Sequence, residues 1–149
     1  MARYFFDTSA LVKRYHPEAG TAAVDRIIDE AGAEVLITRL TLIETISVFA
    51  IKVRVGEFDA TEFARLRALF STHIARRRYQ VLRMLNIHHD RARDLIATHG
   101  IHRQIRTLDA LQLGVALHIH QFAPVDHFVC ADQKLCTLAT LEGLAVIDP

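Results

Sequence analysis

Hydrophobic residues recur along the chain in two rhythms: short aromatic or branched runs, and longer stretches at helical spacing. Arg3–Asp7 (RYFFD) reads as a strand that ends on the turn-prone Asp-Thr-Ser. A helix starts there and stops near Pro17, because the residue before a proline resists the α region. Thr21–Ala31 carries Val24, Ile27 and Ile28 on one helical stripe and is closed by Gly32. Glu34–Thr38 (EVLIT) is a buried strand, and two helices follow it, Thr41–Val55 and Asp59–Arg78, split at Gly56. The first of these has Leu42, Ile43, Ile46, Val48, Phe49 and Ile51 on most of its faces, so another element or another subunit must cover it. Tyr79–Leu85 alternates as a strand, and His88–His99 and Thr107–His120 are helices, the former closed by Gly100. His127–Ala131 (HFVCA) is a strand, Gln133–Glu142 a helix stopped by Gly143, and Leu144–Ile147 (LAVI) the last strand. Strands separated by helices imply right-handed crossovers. The expected fold is therefore α/β, a three-layer α/β/α sandwich on a mostly parallel central sheet.

Length and composition narrow this picture. A chain of 149 residues is expected to form a single domain over 1–149, and 51% hydrophobic residues place it well away from disorder. No repeat, linker or low-complexity tract interrupts it. The formal net charge of +1 gives no strong overall field. No apolar run approaches the roughly 20 residues of a membrane helix, and Asp7 breaks any signal-peptide core, so a cytoplasmic protein without a membrane partner is expected. Cys130 and Cys136, six apart, fit neither a redox pair nor a zinc ribbon and read as reduced, buried thiols.

Candidate chemistry lies in the acids. Open parallel sheets bind ligands beyond the carboxyl ends of their strands. Asp7 follows the first strand and Asp132 the fourth, while Glu44 and Asp109 fall in the first turns of helices. Each has a purely structural explanation. Asp7 and Asp132 are good N-caps, Thr41-Leu-Ile-Glu44 matches a capping box, and Asp109 complements a helix dipole. Four acids on one edge would nevertheless repel one another and raise their pKa values. A divalent cation removes that conflict, and carboxylate oxygens suit Mg²⁺ or Mn²⁺ rather than zinc.

Four segments also carry a family resemblance: YFFDTSALVKRYHPE, RLTLIETISVFA, RTLDALQLGVAL and FVCADQKL. In that order, and within a similarity that runs from Tyr4 to Pro149, the chain resembles the PIN-domain nucleases, and among them the VapC-type toxins of toxin–antitoxin pairs. The resemblance implies a PIN fold and an Mg²⁺- or Mn²⁺-dependent endoribonuclease leaving 5′-phosphate and 3′-hydroxyl ends. It places the metal-binding, catalytic quartet on Asp7, Glu44, Asp109 and Asp132, with Thr8 and Ser9 as small polar residues beside the first acid. It further implies an RNA substrate and a cognate antitoxin, and, together with the apolar faces of the Thr41–Val55 helix, a homodimer formed around Ile46, Phe49 and Ile51. Cys130 stands where many relatives have threonine and Gln112 where histidine is frequent, which puts a supporting hydrogen bond in question but not the quartet.

Rival readings fit the residues less well. A phosphatase with Asp7 as nucleophile would want Asp-x-Asp where the chain has Asp-Thr-Ser. A non-catalytic RNA-binding or regulatory α/β module is the alternative in another class; a receiver would need adjacent acids near the first strand, and an inactive PIN domain would have lost part of the quartet. No Ser-hydrolase elbow or glycine-rich phosphate loop is present, and no two of the nine histidines have the i, i+4 spacing of a helical zinc site. Lys13, Lys52 and Lys134 are the only lysines among 18 basic residues, so arginine dominates; the run Arg76–Arg78 reads as a solvated helix end, while Arg103 and Arg106 are candidates for phosphate contacts.

Overall fold

The computed structural model describes residues 1–149. Five parallel strands, β1 (Arg3–Phe6), β2 (Glu34–Thr38), β3 (Gln80–Leu82), β4 (His127–Val129) and β5 (Val146–Ile147), line up in the order β3-β2-β1-β4-β5. The sheet is entirely parallel. Seven helices connect the strands: α1 (Thr8–Leu11), α2 (Thr21–Ile28), α3 (Arg39–Arg54), α4 (Ala60–Ala75), α5 (Asn86–His99), α6 (Thr107–Phe122) and α7 (Gln133–Leu141). The stretch expected to be one helix up to Pro17 is α1 followed by a 3₁₀ turn at Val12–Arg14.

Side-chain alternation along the strands sorts the core into two layers. Tyr4 and Phe6 of β1 and Val35 and Ile37 of β2 face one way, onto Leu11, Val24, Phe49, Leu66 and Phe70. Phe5, Leu36 and Phe128 face the other way, onto Leu95, Leu113, Val115, Leu135 and Leu138. Helices α1–α4 thus cover one face and α5–α7 the other, which is the expected three-layer sandwich. One apolar face of α3 packs against α4, with a shallow apolar cleft between them lined by Leu42, Ile46, Phe70 and Ile74, while Ile43, Ile51 and Val55 stay exposed. Phe49, expected at a subunit interface, is instead buried in the protomer's own core, because its helical face joins the first-layer cluster, with its ring edge-on to Tyr15 at 5.7 Å.

Two histidines join the α5–α6 pair. The Leu85 N–H donates to His88 Nδ1, so the proton of this ring sits on Nε2 and is donated to His118 Nδ1 at 2.9 Å. Burial keeps the His88 pKa below its usual value, so the ring stays neutral. At Gly114 the helices approach so closely that a Cβ would stand 3.1 Å from the His88 carbonyl oxygen. The arginine run lies on the surface at the amino end of β3, with Arg78 paired to Asp29. Both cysteines are free and buried. No helix is long and apolar enough to cross a membrane.

Candidate metal centre

The central strand β1 has β2 on one side and β4 on the other, so the chain reverses its direction of winding there. At such a reversal a crevice opens beyond the strand ends. Asp7 and Asp132 arrive at this edge as the N-caps of α1 and α7. Asp109 is the third residue of α6, inside its first turn as expected.

Glu44 reaches the edge by a different route from the capping box. Strand β2 runs into α3 without a loop, and Thr38, its last residue, is the cap: its hydroxyl accepts the Thr41 N–H. The helix therefore begins at Arg39, two residues early, and Glu44 lies in the second turn, beyond the positions a cap can use. Its carboxylate turns inward to Gln112 instead.

Gln112 is fully buried yet polar, and it is satisfied on both sides. Its Oε1 accepts the Thr38 hydroxyl at 2.7 Å, and its Nε2 donates to Thr41 Oγ1 at 3.0 Å and Glu44 Oε1 at 2.8 Å, with Thr8 Oγ1 at 3.3 Å. Thr8 in turn donates to Glu44 Oε1 at 3.1 Å. The Thr8 and Gln112 positions were visible in sequence; the parts played by Thr38 and Thr41 were not, since only the direct strand-to-helix passage brings them inward.

One oxygen of each of three acids is tied to the chain, and the other is not. Asp7 Oδ2 accepts the Ser9 N–H at 2.9 Å and the Ser9 hydroxyl at 2.5 Å. Glu44 uses Oε1, as described. Asp132 Oδ1 accepts the N–H groups of Lys134 and Leu135. The structural readings of Asp7 and Asp132 as caps thus hold, and they leave Asp7 Oδ1 and Asp132 Oδ2, like Glu44 Oε2, outside these anchoring bonds. Ser9 also accepts the Ala131 N–H at 3.0 Å, tying the loop after β4 to the first acid, and Cys130 lies beside it, with Sγ 3.8 Å from Ser9 Oγ.

The electrostatics register the crowding. Asp7 is almost wholly buried, and burial pushes its pKa up against the pull of Ser9 and Thr8 hydrogen bonds, with Asp132 raising it further. Burial, then the charge of Asp7, raises Glu44, while Gln112 and Thr8 restrain it. Asp109 is pushed up to about 6 by burial, then by the charges of Asp7 and Asp132 and more weakly of Glu44. Arg106 opposes that rise from the mouth of the crevice, its guanidinium 4.0 Å from Asp109 and 3.6 Å from Asp132.

All four acids therefore sense one another at one edge. As they stand, no three His, Cys, Asp or Glu side chains lie close enough together to hold a metal ion. The donor set nonetheless suits a hard divalent cation: carboxylate oxygens only, each on a fixed backbone, with mutual repulsion that a cation relieves.

An all-parallel α/β/α sandwich with acids gathered at its winding reversal defines a recognisable class of protein. The sequence matches the PIN domain family over residues 4–122, and the chain belongs to that family. Solved structures share its fold at low identity. Mycobacterium tuberculosis VapC20, described as a sarcin-ricin loop cleaving toxin, superposes with a TM-score of 0.67 at 15% identity, covering 98% of this chain and 99% of that one. FitAcB of Neisseria gonorrhoeae gives 0.66 at 16%, with 98% and 97% covered. PAE2754 of Pyrobaculum aerophilum gives 0.65 at 18%, with 97% and 83% covered. No curated protein matches by sequence.

Proposed function

We infer that the chain is a metal-dependent endoribonuclease, the toxin of a VapC-type toxin–antitoxin pair, acting as one PIN domain over residues 1–149 in the cytoplasm. The observation that carries this reading is the converging edge, where Asp7 and Glu44 each spend one oxygen on hydrogen bonds to the chain and keep another free, and where Asp132 has only the loosely held Arg106 on its second oxygen, beside Asp109. Membership in the PIN family and the fold shared with VapC20 support it.

Asp7, Glu44, Asp109 and Asp132 would hold Mg²⁺ or Mn²⁺. Such an ion, when bound, makes a water nucleophilic at neutral pH and neutralises charge on a phosphodiester. The chain's own residues supply the rest. Ser9 fixes Asp7, and Gln112 with Thr8 fixes Glu44, so that neither acid can swing out of the crevice. Arg106, largely exposed and tethered only loosely to Asp109 and Asp132, is placed to exchange those carboxylates for an incoming phosphate, to which a guanidinium binds bidentately.

Two protein partners belong to this reading. The uncovered apolar cleft between α3 and α4 suits an apolar segment of an antitoxin. Self-association uses the outer ridge of α3, where Ile43, Ile51 and Val55 remain exposed, rather than Phe49.

Incubating the protein with structured and single-stranded RNA, with Mg²⁺ or with EDTA, tests the enzymatic core. Cleavage in Mg²⁺ and none in EDTA is expected. Undiminished cleavage in the chelator would end the metal mechanism, and no cleavage of any RNA with either Mg²⁺ or Mn²⁺ would favour the non-catalytic RNA-binding module.

A further inference from the structure

Next to the acidic crevice lies a second concavity with a different character. It is an open cleft of about 270 Å³ lined by Arg103, Gln104, Gln133, Lys134 and Thr137, with no hydrophobic residue in its wall. Two of these residues are cations, and neither has a carboxylate within ion-pair distance, whereas Arg106 three residues on is held to Asp109 and Asp132. Lys134 Nζ makes its hydrogen bond to the neutral Gln104 Oε1 at 2.6 Å, which positions the charge without neutralising it.

Arg103 adds a more specific sign. Its Nε is buried and has no hydrogen-bond partner, although the residue as a whole is half-buried. A buried guanidinium nitrogen without an acceptor is costly, so the Arg103 side chain gains by turning its guanidinium to an anion in the cleft it lines. Gln133 is restrained from behind by Asp148, so the wall is organised rather than a loose fringe of side chains.

The cleft is continuous with the metal centre in the chain itself. Gln133 and Lys134 directly follow Asp132, whose Oδ1 accepts the Lys134 N–H. Arg103 and Gln104 belong to the same connection as Arg106, which spans Asp109 and Asp132. A polyanion lying across the acids therefore meets this cleft next.

We propose that the Arg103–Lys134 cleft is a phosphate subsite that binds the backbone of a single-stranded RNA one step away from the bond to be cut. The proposal rests on the endoribonuclease reading and adds to it the part of the surface that holds the substrate. Phosphate contacts of this kind set position and affinity and carry no base information. They also release condensed counterions, so their number can be read from the dependence of binding on salt.

The experiment measures binding of a fluorescein-labelled single-stranded RNA 20-mer in EDTA, from 50 to 300 mM salt, without turnover. Wild type is compared with Arg103→Gln/Lys134→Gln and with Arg76→Gln/Arg77→Gln, which removes equal charge at the opposite edge of the sheet. The first variant should bind roughly ten times more weakly at low salt, with a slope of log K against log salt shallower by about 1.4, about 0.7 for each lost contact. The second should stay within about twofold of wild type, and Arg103→Lys alone should retain most of the slope. Melting of each variant in parallel reports whether it is folded. Equal loss in both double variants, or none in the first, overturns the subsite. Inorganic phosphate that stabilises wild type but not the first variant, with RNA binding unchanged, would assign the cleft to a free anion instead. Wild type that binds no RNA in EDTA overturns the subsite, while the nuclease reading beneath it stands or falls separately on cleavage in Mg²⁺.

Discussion

At the residue scale, capping and metal binding do not compete for the same acid, because a carboxylate has two oxygens. Asp109 tests this most directly, since it has no anchoring hydrogen bond and its pKa of about 6 is set by burial and by its acidic neighbours. Its ordinary value is 3.8, so between about pH 4 and pH 6 the metal-free folded protein binds more protons than the unfolded chain. Stability of the metal-free protein should therefore fall as pH rises through that window, by on the order of 1–3 kcal/mol from this group. Asp109→Asn removes this group's share of the fall, so in EDTA at pH 7 the variant should melt at or above wild type. With Mg²⁺ at a hundredfold excess over its dissociation constant, wild type should gain about 2.7 kcal/mol and the variant little. Thermal melts of both proteins across pH, with and without Mg²⁺, decide this; an Asp109→Asn protein that is simply less stable, beside a wild type indifferent to Mg²⁺, would make Asp109 a helix residue only.

At the scale of elements, the site depends on three of them meeting at one buried amide. Gln112 on α6 joins Thr38 at the end of β2 to Thr41 and Glu44 on α3. Gln112→Leu keeps roughly the volume but strands these partners, at roughly 1–3 kcal/mol for each buried group left unpaired. Urea unfolding should show a loss of several kcal/mol with an unchanged slope; a variant as stable as wild type would show that the network is incidental. The elements themselves were largely legible in sequence, because runs such as EVLIT and HFVCA and the stripe of Val24, Ile27 and Ile28 carry their periodicity on their face. The start of α3 was not. Thr38 and Thr41 are both acceptable caps, and the Thr38 hydroxyl that caps the helix is also bonded to Gln112, 74 residues away, a partner no local pattern contains. Likewise Asp7 and Asp132 could be placed at the carboxyl edge because each follows a strand, and Glu44 and Asp109 near helix starts, but their anchoring oxygens, and the unpartnered Arg103 Nε, exist only once the helices are packed.

At the scale of the whole molecule, the outer ridge of α3 is the surface that asks for a partner. Ile43, Ile51 and Val55 lie at spacings of eight and four residues on one side of the helix and are 70%, 43% and 63% exposed. Light scattering at micromolar concentration should give a dimer, and Ile43→Asp/Ile51→Asp should give a monomer with little loss of melting temperature. A wild-type monomer in the absence of other proteins would refute this assembly. A stable dimer needs about 800 Å² from each protomer, so flanking polar surface must join the ridge. The layering of the sandwich has one more consequence. Asp7 and Glu44 belong to the half of the chain that forms one layer, and Asp109 and Asp132 to the half that forms the other. The crevice is thus a seam between two slabs that meet along the sheet, held across it by Gln112 with Glu44 and by the bond from the Asp7 N–H to the Val129 carbonyl. Like charges on opposite lips press the slabs apart, and a cation bound between them would work as a rivet, so that filling the site would at the same time make the fold resist shear.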